Sequence, residues 1–203
     1  MSLSISDGRL LRLFVACVLG DWEGVRRARR EAGAGEPDRR WREALLQVHL
    51  FAGIPRQVEA AQVILQEGGL GDPDSDEIEN APGSDRHARG VALFERIYAD
   101  DAEPVRAMLA RGHPELERWV LEHAYGRVLA RPGLSPDRRE LLAVVALAAL
   151  GQERQLASHA RGALRCGATA EELDAALGLV EDQVEPHHPG RIAGARRVLA
   201  RLC

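Results

Sequence analysis

Two residues of this chain are of types that pass protons and lie where neighbouring helices can bring them together. Glu140 falls in the first turn of a predicted helix that starts at Pro136, and His159 falls midway along the next one. Gly151 closes the first helix, so the two fold back as an antiparallel hairpin. Counted from that turn, His159 is nearer to it than Glu140 by about four residues, or ~6 Å at 1.5 Å per residue. Whether a glutamate side chain and an imidazole span that gap depends on how the two helices are rotated. A carboxylate beside an imidazole fixes the tautomer and raises its basicity, which is the working unit of a proton relay. The same spacing suits a structural ion pair, or an acid favouring the helix dipole. Spacing alone leaves these readings open.

The elements that must position the pair are helical. Ser135-Pro136 is an N-cap and first-turn pair, Gly167 terminates a helix from about Glu153 to Cys166, and Thr169 to Glu172 reads as a capping box. Pro186 and Pro189 break the helix that follows, and Arg191 to Leu202 forms a last one. The front half reads similarly, with helices from about Asp7 to Leu19, onward to Ala32, and from Asp38 to Ala52. Gly53-Ile54-Pro55 interrupts before a fourth, ending at Gly68-Gly69. Gly68 to Ser84 is rich in Gly, Pro and Asp and reads as an exposed linker, followed by helices over Gly90–Tyr98, Pro104–Arg111 and Pro114–Ala130. Strand-like alternation is almost absent, so the class is all-α.

The two halves match at a fixed offset of 131 residues, pairing Leu10 with Leu141, Gly20 with Gly151, and Pro55 with Pro186. Nine identities fall between Arg9 and Pro55 without a gap, and the helix stops and the proline coincide. We read a degenerate duplication, with a front repeat over residues 1–67, a linker over 68–88 and a rear repeat over 89–203.

Composition narrows the chemistry. The chain has 203 residues, 45% of them apolar and 29% charged, with a net charge of −4. That balance and the 4% of aromatics argue against a nucleic-acid surface. All 27 basic residues are Arg, which removes Schiff-base, pyridoxal and P-loop lysine chemistry. Cys17, Cys166 and Cys203 are too few and too scattered for a disulfide framework or a four-thiolate zinc site. An odd cysteine count, and no cleavage site after the apolar stretch Leu10–Leu19, fit a reducing cytoplasm. The longest apolar run, Leu141–Leu150, is about half the ~20 residues of a membrane helix, so no membrane partner is expected.

Other candidates carry bland alternatives. His123 and Tyr125 line or support a pocket at the relay, or belong to a packed amphipathic helix. Arg161 or Arg138 is available for an anionic substrate group. His187 and His188 with Glu185 suggest a metal, yet adjacent histidines between prolines diverge, and an exposed turn is the simpler reading. The run Arg26 to Arg30, flanked by Glu23 and Glu31, reads as a solvated helix face.

The run Leu134-Ser-Pro-Asp-Arg-Arg-Glu140, the apolar helix after it, and Gln155-Leu-Ala-Ser-His159 through Gly167 resemble the carboxymuconolactone decarboxylase family and the related alkyl hydroperoxidase D core. Glu43 through Gln47, His49 and Gly53 to Pro55 resembles that family's third-helix signature. The resemblance implies an all-helical fold assembled as dimers, trimers or hexamers. It also implies a catalytic Glu and His at Glu140 and His159, 19 residues apart, with the peroxidase branch's two cysteines replaced by Gln152 and Gln155. Glutamine cannot run a thiol peroxide cycle. Cys166, seven residues beyond His159, would act as a peroxidatic thiol without a resolving partner, and otherwise is a small buried residue.

We therefore expect cofactor-free, metal-free proton transfer on a small organic acid or lactone. His159 would act as base or acid, Glu140 would orient it, and Gln155 would donate to developing charge, with Gln152, His49, Tyr125 and Arg161 contacting substrate. The front repeat has Arg9 and Ala28 at the relay positions but the better third helix, so the site is expected to be composite, rear relay roofed by Gln47 and His49. A non-catalytic oligomeric scaffold of the same fold and a residual peroxidase through Cys166 are the alternatives.

Overall fold

Ser4 opens the first helix by accepting from the Asp7 N–H at 3.0 Å, while the Asp7 carboxylate accepts from the Ser4 N–H at 3.1 Å. Helix α1 (Ile5–Leu19) ends at Gly20, whose φ of 74° is the left-handed conformation glycine adopts without a Cβ penalty. In the computed structural model, which describes residues 3–32, 38–78 and 82–202, α2 (Trp22–Ala32) and α3 (Asp38–Gln66) follow. Gly53, at φ 80° and ψ 163°, kinks α3 two residues before Pro55. The rear half repeats this order with α7 (Pro136–Leu150), α8 (Glu153–Cys166), α9 (Ala170–Val184) and α10 (Arg191–Leu199). Helix α7 also ends on a left-handed glycine, Gly151 at φ 70°. The last helix stops at Leu199 rather than Leu202, and Cys203 lies outside the described residues. No strand occurs among the described residues, and the fold is all-α.

Between the halves run α4 (Gly83–Tyr98), α5 (Ala102–Gly112) and α6 (Leu116–Trp119). The last continues directly into a π-helix (Val120–Leu129) where the sequence predicts ordinary α-helix. Gly90 and Gly126 set this packing. A Cβ on Gly90 would sit 1.8 Å from the Leu121 carbonyl, and one on Gly126 2.0 Å from the Arg86 carbonyl. Two backbones in direct contact leave no room for a side chain at either position.

The stretch read as linker is anchored. Leu70 and Glu77 are buried, Ser75–Glu77 forms a 3-10 turn, and α4 starts inside it, at Gly83. Arg42 bonds both Glu77 oxygens, at 2.6 and 2.8 Å, and also the Leu70 carbonyl. The run Arg26 to Arg30 keeps a solvated face, with Arg27 and Arg30 exposed, yet two of its side chains are anchored. Arg30 pairs with Glu67 at 2.9 Å and Arg29 donates to the Gly69 carbonyl at 2.8 Å, fastening α2 to the end of α3.

Helix α7 is buried on every side from Arg139 to Ala149, which is why its apolar residues show no single face. It forms the centre of the main core with α1, α9 and α10. A second cluster joins α4, the π-helix and Cys166. No helix among the described residues is long and apolar enough to cross a membrane.

Candidate active site

The relay pair meets. His159 Nδ1 lies 2.9 Å from Glu140 Oε2, both residues being buried. Glu140 is the fifth residue of α7, just past the first turn, whose acid is Asp137. Ser135 occupies the N-cap, but its side chain makes no capping bond. Gly162 makes the approach of α8 feasible: a Cβ there would lie 2.7 Å from Glu140 Oε2. The other carboxylate oxygen, Oε1, is buried with no hydrogen-bond partner. Leaving it so is costly, and such costs gather where a fold serves chemistry.

His159 forms part of the wall of a cavity of about 570 Å³, at the seam between the two hydrophobic clusters. That volume is within the roughly 300–1,000 Å³ of ligand pockets. With Nδ1 given to Glu140, Nε2 has no partner among the described residues and is left to whatever enters. Leu50 and Phe51 of α3 supply the front-half wall, and the Phe51 ring lies 6.3 Å from the His159 ring. The site therefore draws on both halves.

Gln47 contributes from behind the cavity. Its Nε2 donates to the Arg139 carbonyl at 2.9 Å, one residue from Glu140. Beside it, Glu43 accepts from Arg139 at 2.7 Å and from Arg131 at 2.8 Å, a buried ion pair joining α3 to the start of α7. Burial pushes the Arg139 guanidinium below its ordinary value. Glu43 and Gln47 of the third-helix signature thus hold α7 in place, while Leu50 and Phe51 of the same segment face the cavity.

His49 and Arg161 stand elsewhere than the sequence reading put them. His49 turns away from the cavity to His123, with Nε2 atoms 2.8 Å apart. It lies two residues from Gln47 and two from Phe51, about 200° around the helix from each. Arg161, two residues past His159, is displaced in the same way and faces Asp101 at 3.9 Å. Arg138 is engaged with Glu172 at 3.0 Å. The guanidinium on the cavity is Arg154, which the sequence reading passed over although it is four residues from Ser158 on the same helix face.

Gln152, Gln155 and Tyr125 do line the cavity, joined by Tyr98 and Phe94 from α4. The Tyr125 hydroxyl donates to the Tyr98 oxygen at 3.3 Å. Burial raises Tyr98 and takes Tyr125 well above the ordinary range, so both stay protonated donors. Arg165 donates to the Ile97 carbonyl at 2.6 Å and Arg96 to the Cys166 carbonyl at 3.3 Å, clasping the ends of α4 and α8 so that Tyr98 stays at the site.

Cys166 is not on the cavity wall, and burial followed by the Glu140 charge pushes its thiol up to about 11. At neutral pH it holds little thiolate. Glu185 is committed to capping α10, accepting from Gly190 N at 2.6 Å and Ile192 N at 2.8 Å, which takes it from His187 and His188. Among the described residues no cluster of three or more His, Cys, Asp or Glu could hold a metal ion.

Residues 114–183, which include Glu140 and His159, match the carboxymuconolactone decarboxylase family. The chain is 30% identical over 141 residues to Peroxisomal protein 2 of Schizosaccharomyces pombe, a stretch covering 68% of this chain and 65% of that protein. It is 36% identical over 59 residues to the 4-carboxymuconolactone decarboxylase of Acinetobacter baylyi, covering 29% of this chain and 44% of that protein. The matched stretch is under two thirds of the length of either relative.

Proposed function

Since the chain belongs to the carboxymuconolactone decarboxylase family through residues 114–183, we propose that it is a cofactor-free proton-transfer enzyme acting on an organic acid or lactone. One observation carries this reading: the 2.9 Å contact between His159 Nδ1 and Glu140, with Nε2 unpartnered on a cavity large enough for a substrate. In that tautomer Nδ1–H donates to the carboxylate and Nε2 bears the lone pair. Nε2 takes a proton from carbon next to a carbonyl, the electron pair moving onto the carbonyl oxygen. In a decarboxylation the imidazole starts protonated: the carbon–carbon bond to the departing carbon dioxide breaks, its electron pair moves onto the adjacent carbonyl oxygen, Nε2–H gives its proton to the carbon of the resulting enolate, and solvent restores that proton. Tyr98, Gln152 and Gln155 supply donors for the charge on oxygen. Glu140 is a positioning residue that stabilises the imidazolium. The 4-carboxymuconolactone decarboxylase relative supports the acid or lactone class, and the oriented imidazole and open cavity favour catalysis over a scaffold role.

Exchange of carbon-bound protons with deuterated water, followed by NMR over a panel of lactones and β-keto acids, tests the reading. The wild type is expected to exchange at least one of them. His159→Gln should lower the rate about 10²–10⁴-fold, and Glu140→Gln should lower the rate constant with ligand affinity held. No exchange or turnover with any compound that demonstrably fills the cavity would overturn it. We further place the chain in the cytoplasm, with Cys17 and Cys166 free and buried in support. We also propose a homo-oligomer, supported by the exposed apolar stripe Ile54, Val58 and Leu65 on α3.

A further inference from the structure

Building on the proton-transfer reading, we propose that the cavity selects an anionic monocarboxylate with an extended apolar body, held head-first by Arg154. Charge is the first argument. Among the described residues, the lining carries one guanidinium, Arg154, and no carboxylate side chain. The neighbouring arginines are committed: Arg161 to Asp101, Arg138 to Glu172, and Arg165 to the Ile97 carbonyl. Arg154 has no hydrogen bond or ion pair among the described residues. A free cation at the mouth of a cavity that holds an oriented imidazole fits one acidic group. The mouth is also where α8 begins, so the positive end of its dipole has the same sign.

Polarity is the second argument. Away from Arg154, Gln152, Gln155, Ser158, His159 and the two tyrosine hydroxyls the walls are hydrocarbon and aromatic, with Phe94 and Leu129 inside and Val105, Met108 and Leu109 from α5 opposite. Helix α5 buries only Ala102 in a core and turns this apolar stripe toward the cavity. A second carboxylate on the ligand would meet no cation there and would lose its hydration uncompensated. A tail of methylenes or an aromatic ring loses nothing and gains the burial. The structure therefore disfavours compact dicarboxylates and favours one charged head on an apolar body.

Calorimetric titration of the full chain tests this, using straight-chain monocarboxylates of four to ten carbons below their micelle concentrations. Matched alcohols and short dicarboxylates serve as comparisons. Affinity is expected to rise roughly fourfold per added methylene until the cavity is full. Arg154→Gln should weaken the carboxylates about tenfold or more and leave the alcohols unchanged, while Arg161→Gln changes neither. Arg154 is exposed and unpaired, and far-UV circular dichroism would verify that the variant folds. Affinity independent of chain length, tighter binding of dicarboxylates, or an Arg154→Gln variant that binds carboxylates normally would each overturn the proposal. Because binding is the readout, tight tail-dependent binding without proton exchange would remove the catalytic reading and leave this one standing.

Discussion

At the scale of single residues, helix phase decides which polar groups are available for chemistry. The types of Glu140 and His159 and their distances from Gly151 are plain in the sequence, while the 2.9 Å contact also needs the rotation of the two helices and the room left at Gly162. His49 and Arg161 have types just as suitable, yet an offset of two residues from a wall residue turns each away. Arg154 was hidden by the opposite circumstance, an unremarkable charge whose value comes from having no partner. Glu77 is a residue whose role the sequence masks altogether, an acid in a Gly-, Pro- and Asp-rich stretch that looks exposed. The hydrogen bond from Arg42 holds its carboxyl at about 2 against an ordinary 4.5. Its contribution is therefore complete above pH 4.5 and is lost as pH falls toward 2. Glu77→Gln should cost about 1 kcal/mol at neutral pH, with the gap from wild type closing over that acid range in urea titrations.

At the scale of elements, the close contact of α4 with the π-helix is what hollows out the cavity wall. A π-helix is wider than an α-helix and carries different residues to a given face, so Val120, Ala124, Tyr125 and Leu129 all reach the wall. Sequence periodicity assumes 3.6 residues per turn and reads this stretch as ordinary helix. Gly90 and Gly126 are its visible traces, since each stands where a carbonyl of the other helix would collide with a Cβ. Gly126→Ala should lower stability by at least ~1–3 kcal/mol, read as a drop in Tm, and displace Tyr125 from the cavity. Gly178→Ala is the control. Its Cβ would meet only Arg196 Nη2, at 3.5 Å, so gained helix propensity should leave stability equal or slightly higher.

At the scale of the molecule, the halves do not make separate cores. Helix α7 is buried all round because α1 from the front and α8 to α10 from the rear enclose it. The Glu43 to Arg139 and Arg131 pairs add a buried polar tie across the same boundary. Residues 68–203 expressed alone would expose the α1-facing side of α7 and remove Phe51 from the site. That fragment should lack near-ultraviolet circular dichroism and show no cooperative thermal transition. A sharp transition from the fragment would mean that the rear half carries a sufficient core of its own.

What this amino-acid sequence determines by itself is whatever depends on near neighbours: helix ends at Gly20, Gly151 and Thr169, the break at Gly53 and Pro55, and the axial placing of Glu140 against His159. Caps, left-handed glycines and rise per residue act over a few positions, so they can be read without coordinates. Only the tertiary structure decides which way each helix is rotated, that Gly90 and Gly126 let two backbones touch, that Gly162 admits the Glu140 carboxylate, and that Arg154 is left unpaired beside an apolar hollow. Those outcomes depend on packing between segments tens of residues apart, where a rotation of one helix by half a turn exchanges a wall residue for a solvent one.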